Sequence, residues 1–125
     1  MRIEVSIGEV LDKVSILQIK MEKIKDKEKL KHVRHELNTL EHLMNEHGVV
    51  IPQELYAELK SVNLTLWETE DIIRECEKDN NFGDEFVKHA RLDAKLNDKR
   101  FLIKNKINNQ MNSGIKEQKS YDGLY

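Results

Sequence analysis

The chain has 125 residues, of which 35% are charged and 38% hydrophobic, and its formal net charge is −2. This length suits one domain with a single core, and the near-neutral balance disfavours a nucleic-acid-binding protein, which usually carries a clear basic excess. The single cysteine, Cys76, excludes an internal disulfide and suits a reducing compartment. Because we find neither a leader-like segment nor an apolar run of about 18 residues, we predict a cytoplasmic protein that contacts neither nucleic acid nor membrane.

The charges are distributed in blocks. Residues 36–85 hold thirteen acidic and three basic residues, whereas residues 1–35 and 86–125 each hold nine basic residues, with six and four acidic ones. Blocks of opposite sign in one small domain indicate that the segments lie against one another.

The first predicted helix covers residues 7–25. Ser6 followed by Glu9 is a capping-box pattern. The main apolar seam consists of Val10, Val14, Leu17, Met21 and Ile24. Ile16 and Ile19 fall on the opposite side of the helix. Because a helix with two apolar faces needs contacts on both, we expect it to be central to a bundle or a dimer, and we predict a homo-oligomer formed through these two isoleucines.

Two further helices are predicted at residues 27–47 and 53–78. Asp26 can cap the first of them, and Gly48 stands where a left-handed C-terminal cap is needed. Pro52 marks the start of the next helix. The two apolar seams consist of Leu30, Val33, Leu37, Leu40 and Met44, and of Leu55, Leu59, Val62, Leu66 and Ile73.

The fourth predicted helix covers residues 85–112, with Asp84 as its N-cap after a polar loop. Four helices with short links predict an all-α protein, either an antiparallel four-helix bundle or paired αα-hairpins. We expect one helical domain at 1–112 and a tail at 113–125. The tail residues that we expect to pack on the body are Ile115, Tyr121, Leu124 and Tyr125.

The residue types that most often carry chemistry indicate no cofactor. His32, His35 and His42 share the second helix, but the last two point away from its seam, and no Glu-x-x-His pair or second cysteine accompanies them. No glycine-rich phosphate loop or nucleophile elbow occurs. Cys76 falls on the buried side of its helix, where cysteine usually acts as a small hydrophobe. We therefore predict neither a metal nor a catalytic nucleophile.

A polar track runs through the apolar arc of the fourth helix. Its members, at spacings of four, three and four, are Asp93, Asn97, Arg100 and Lys104. The third helix places Asn63, Glu70 and Arg74 beside its own seam, flanked by Tyr56 and Trp67. Charges on a core face are costly unless they are paired.

The track has two interpretations. One is a structural network in which Glu70 meets Arg100 or Lys104. The other is a site for a small anionic ligand, whose residues would be Glu70, Arg74, Asn97, Arg100 and Lys104.

Three segments, GEVLDKVSILQIKMEKI, LWETEDIIRECEK and LNDKRFLIKNKIN, with the ending KEQKSY, resemble a family of short helical proteins of unknown function from bacteria and phages. The resemblance spans nearly the whole chain and implies a compact domain in an intracellular setting, but no activity. The phrase RLDAKLNDKRFLIKNKI is also similar to the Arg-rich helices of helical chorismate mutases. The first helix departs from that pattern, because residues 6–24 contain no arginine.

Together these features favour a non-enzymatic interaction or assembly module with a coiled-coil-like helical bundle. The alternative is a small anionic-ligand-binding protein or a chorismate-mutase-like enzyme that uses the polar track.

Overall fold

The protein folds into four α-helices, seen in a computed structural model that describes residues 1–111. The helices are α1 (Ile7–Lys23), α2 (Lys27–Glu46), α3 (Gln53–Lys78) and α4 (Asp84–Gln110). Every predicted boundary lies within two residues of these, and the described part of the chain contains no strand, so the all-α prediction is confirmed. The predicted tail contacts fall outside the described residues.

Local signals explain most of the helix ends. The Ser6 hydroxyl accepts a hydrogen bond from the Glu9 backbone N–H at 3.1 Å, as the capping pattern predicts. The Asp26 carboxylate likewise caps α2 through two backbone N–H groups of its first turn, and Gly48 has a left-handed φ of 63°. The expectation that Asp84 caps α4 is wrong by one residue, because Gly83 occupies that position and provides no side chain.

The helices form two αα-hairpins, α1–α2 and α3–α4. α1 approaches all three other helices, whereas α2 approaches only α1 among the described helices. The contacts of α1 move across the second hairpin: Glu9 pairs with α4, while Gln18 and Glu22 pair with α3. α1 is therefore the central helix, as we expected.

One apolar cluster joins the four helices. Its buried members are Leu11, Val14, Met44, Leu59, Val62, Leu66, Ile103 and Ile107. It lies where α1 crosses the α3–α4 hairpin, so the side chains of α3 and α4 that face α1 are held in fixed positions. The polar track of α4 enters this region.

The second face of α1 is covered within the chain. Gly8, Asp12, Ser15 and Ile19 follow one another at spacings of four, three and four and are all buried. They lie on the side that faces α3 and α4, and Ile19 is only 1% exposed. Ile16 is half-buried. Ile19 is therefore not available to a second subunit, which corrects the expected contact surface; the homo-oligomer itself stays a prediction.

The α3–α4 hairpin continues beyond the cluster as a two-helix extension, residues 67–95, which we call the arm. Its twelve residues of α3 span about 18 Å at the α-helical rise. Within it only Thr69 and Cys76 are buried. Phe82 and Phe86 contact edge to face at its tip, with ring centroids 5.4 Å apart. The arm therefore buries few side chains, whereas the body contains the apolar cluster.

Candidate functional site

Asp12 is the centre of a buried polar network between α1 and the second hairpin. Its side chain is 1% exposed, and it accepts a two-pronged contact from Arg100, with Nε 2.9 Å from Oδ1 and Nη2 bonded to Oδ2. The Asn63 amide donates to Oδ1 at 2.9 Å. A guanidinium fork and a carboxylate match in this geometry, which makes the pair directional as well as charged.

Asn63 links this ion pair to Ser15. Its amide nitrogen lies 2.7 Å from the Ser15 hydroxyl, and that hydroxyl donates to the Asp12 backbone carbonyl at 2.7 Å. All three residues are buried. Buried polar groups without partners are costly, so these contacts satisfy one another and fix the position of α1 against α3.

A second ion pair lies one turn nearer the end of α4. Lys104, which is buried, bonds the half-exposed Glu9 at 2.7 Å. Beside it the Gly8 backbone N–H donates to the Asn108 side chain at 2.7 Å. A Cβ atom on Gly8 would lie 2.6 Å from the backbone oxygen of Lys104. Only glycine at this position therefore permits the close approach of α1 and α4 that both contacts need.

The network continues along α4 towards the arm. Arg100 reaches Asn97 at 3.5 Å, and Asn97 donates to the Asp93 backbone carbonyl at 3.0 Å. Glu70 of α3 lies near Asp93 at this end of the network. Burial, and then the proximity of Asp93, raise the pKa of Glu70, while Arg74 and Arg100 partly oppose the rise.

The structure brings together four of the five predicted site residues, Glu70, Asn97, Arg100 and Lys104. The expected pairing of Glu70 with Arg100 or Lys104 is wrong, because α1 lies over this part of α4 and supplies Asp12 and Glu9 instead. Arg74 stays outside the network: its side chain is 74% exposed and lies 3.7 Å from Asp71 on the same helix.

Sequence reasoning gave Glu9 only a capping role, and it did not single out Asp12 or the bridging Ser15. A signal for them exists. The spacing of Gly8, Asp12 and Ser15 places them on one face with Ile19, which indicates a buried face with polar members. The prediction for that face considered only its isoleucine and therefore assigned the face to a contact between subunits.

The remaining candidate groups take no part in the network. His32, His35 and His42 are exposed, which confirms that the last two point into solvent. Residues 1–111 contain no group of three or more His, Cys, Asp or Glu side chains that can hold a metal ion. Cys76 is buried; burial first, and then the nearby carboxylates, raise the pKa of its thiol. A raised pKa disfavours the nucleophilic thiolate.

The fold and the network define an all-α protein of two αα-hairpins joined through buried ion pairs. A family model described as a family of unknown function, DUF6165, matches residues 1–124, so the chain belongs to that family. No curated protein and no solved structure matches the chain. Among the helices that the structure describes, none is long and apolar enough to cross a bilayer.

Proposed function

We propose that this protein is a non-enzymatic assembly module that acts as a homo-oligomer in the cytoplasm of a bacterium or a phage-infected cell. The observation that carries the proposal is the arm. A two-helix extension of about 18 Å, in which only Thr69 and Cys76 are buried, adds little to the core of one chain and offers a surface to another. Support for the cytoplasm comes from the lone buried cysteine, which suits a reducing compartment.

The polar network also supports a structural role over the binding of an anionic ligand. A cationic pocket attracts an anion when its positive charge is not already compensated. Here Arg100 lies against Asp12 and Lys104 against Glu9, so each cation has a carboxylate partner supplied by α1. The alternative, a small anionic ligand bound on the polar track, would have to displace both carboxylates.

Sedimentation velocity of the wild-type protein at tens of micromolar tests the proposal. We expect a species larger than the 14.7 kDa chain, and no rise in melting temperature when phosphate or a dicarboxylate is added. A monomer whose melting temperature rises with either anion would instead support the ligand-binding alternative, because ligands stabilise the state that binds them.

A further inference from the structure

A groove with cationic walls runs along the outer side of α2. It is a shallow, open depression on the surface of this one helix, lined by Lys27, Leu30, Lys31, Arg34, His35 and Asn38. Leu30 is half-buried, whereas the basic side chains are exposed. Since α2 contacts only α1 among the described helices, neither α3 nor α4 covers this side of the helix.

The surrounding charge extends the cationic character of the groove. Residues 20–35 hold seven basic and three acidic residues. Among residues 1–111, the one ion pair that involves the basic walls joins Lys31 to Glu28 at 3.3 Å, with both side chains about three-quarters exposed. Such exposed pairs contribute little to stability. The groove therefore keeps a positive charge that is available to a partner.

The arm tip has the opposite character. Phe82 and Val87 are each 50% exposed, and residues 75–85 around them hold five acidic residues and one basic residue. The loop is held in place: the Asn81 N–H donates to the Cys76 carbonyl at 2.8 Å, and Phe86 supports the Phe82 ring edge to face. We call residues 75–87 the tip. It consists of an exposed apolar projection, Phe82 and Val87, and of the acidic residues of 75–85, which we call the acidic collar.

We propose that the arm tip of one copy of this chain docks in the α2 groove of a second copy. The apolar projection meets the Leu30 floor, and the acidic collar meets the cationic walls. This inference rests on the proposed self-association and names its surface. Two such contacts related by a twofold axis close a dimer, and the first contact makes the second intramolecular, which strengthens the pair.

A charge exchange between the two surfaces tests the contact. One variant carries Glu77→Lys with Asp79→Lys at the tip, where cations suit a helix C-terminus. The other carries Lys31→Glu with Arg34→Glu in the groove. Each variant alone opposes like charges, so we expect at least about a tenfold rise in Kd, equivalent to about 1.4 kcal/mol.

An equimolar mixture of the two variants is the decisive sample. In it the basic tip of one variant faces the acidic groove of the other, and the two unaltered surfaces also face each other. We expect the mixture to recover the sedimentation coefficient of the wild type. Glu58→Lys with Glu68→Lys, which changes charge by the same amount at exposed positions of α3 outside the tip, is the matched control and should associate like the wild type.

Circular dichroism of each variant checks that the helices are retained. If the tip double variant loses helix, Phe82→Gln alone should still weaken association, because Phe82 is a half-exposed loop residue. Variants that associate like the wild type, or a mixture that stays monomeric, would overturn the tip-in-groove contact and leave the proposed self-association standing. A monomeric wild type would overturn both.

Discussion

The two halves of the α3–α4 hairpin use the same pair of helices but hold their polar groups differently. Where α1 crosses the hairpin, Asn63 and Arg100 meet the buried Asp12, and both of these contacts join groups distant in the chain. In the arm, the ion pair between Arg74 and Asp71 joins neighbours on one helix. The difference shows that helical spacing alone does not decide which partner a polar residue finds. A third helix that packs over the hairpin decides it.

The largest expected effect comes from removing one member of the buried pair. Arg100→Met leaves Asp12 buried without its cation, and losing one partner of such a pair costs about 3–5 kcal/mol. Asp12→Leu combined with Arg100→Met should recover much of that loss, because replacing both charges by apolar groups is often neutral. Urea unfolding of the three proteins measures the difference.

The arm supplies the control for that experiment. Arg74→Met removes a cation from an exposed pair, so it should change the free energy of unfolding by no more than about 0.5 kcal/mol. Glu70→Leu in place of Asp12→Leu should not rescue Arg100→Met, because Asp12 is the carboxylate that contacts Arg100. Equal costs for Arg100→Met and Arg74→Met would contradict the comparison between body and arm.

A smaller effect is expected from Gly8→Ala, which tests how closely α1 and α4 approach. The added methyl would stand 2.6 Å from the Lys104 carbonyl oxygen, and overpacking of this kind typically costs about 1–3 kcal/mol. Thermal and urea unfolding measure the loss. Alanine normally stabilises a helix relative to glycine, so a Gly8→Ala protein that is more stable than the wild type would show that the helices can separate without cost.

The smallest effect concerns Glu70 and pH. Because burial and Asp93 raise the pKa of Glu70 in the folded protein, the native state holds a proton that the unfolded chain releases near the ordinary value of 4.5. This contribution to stability is therefore full below that value and is lost as pH rises through the raised pKa.

Glu70→Gln should accordingly flatten the loss of stability over the pH range above the ordinary value of 4.5, by less than about 1 kcal/mol at this partly exposed site. Melting temperatures of both proteins across this range, with the exposed Glu68→Gln as control, give the measurement. A melting temperature that falls more steeply with pH in the Glu70→Gln protein than in the wild type would contradict a raised pKa of Glu70 in the folded protein.

The helix ends were predictable because their causes are local. Ser6, Asp26 and Gly48 act on residues a few positions away, and spacing alone shows a cap or a turn. The polar track on α4 was also visible, since Asn97, Arg100 and Lys104 interrupt an apolar arc at helical spacing.

The partners of the polar track on α4 were not predictable in the same way. Arg100 and Asp12 are 88 residues apart, and helical periodicity describes a face without naming the helix that covers it. The acidic character of α3 favoured Glu70 as the partner, but the crossing of α1 over the hairpin decided the pairing. The same crossing covers Ile19, which spacing had assigned to a contact between subunits.

The long separation between Asp12 and Arg100 also bears on how the chain is made. A ribosome adds about 5–20 residues per second, so α1 emerges several seconds before the guanidinium that neutralises its buried carboxylate. Until then the burial of Asp12 costs free energy that no ion pair offsets. The nascent α1–α2 hairpin also has no complete α3–α4 surface to pack against. The final docking of the first helix is therefore deferred until the fourth helix has left the ribosome.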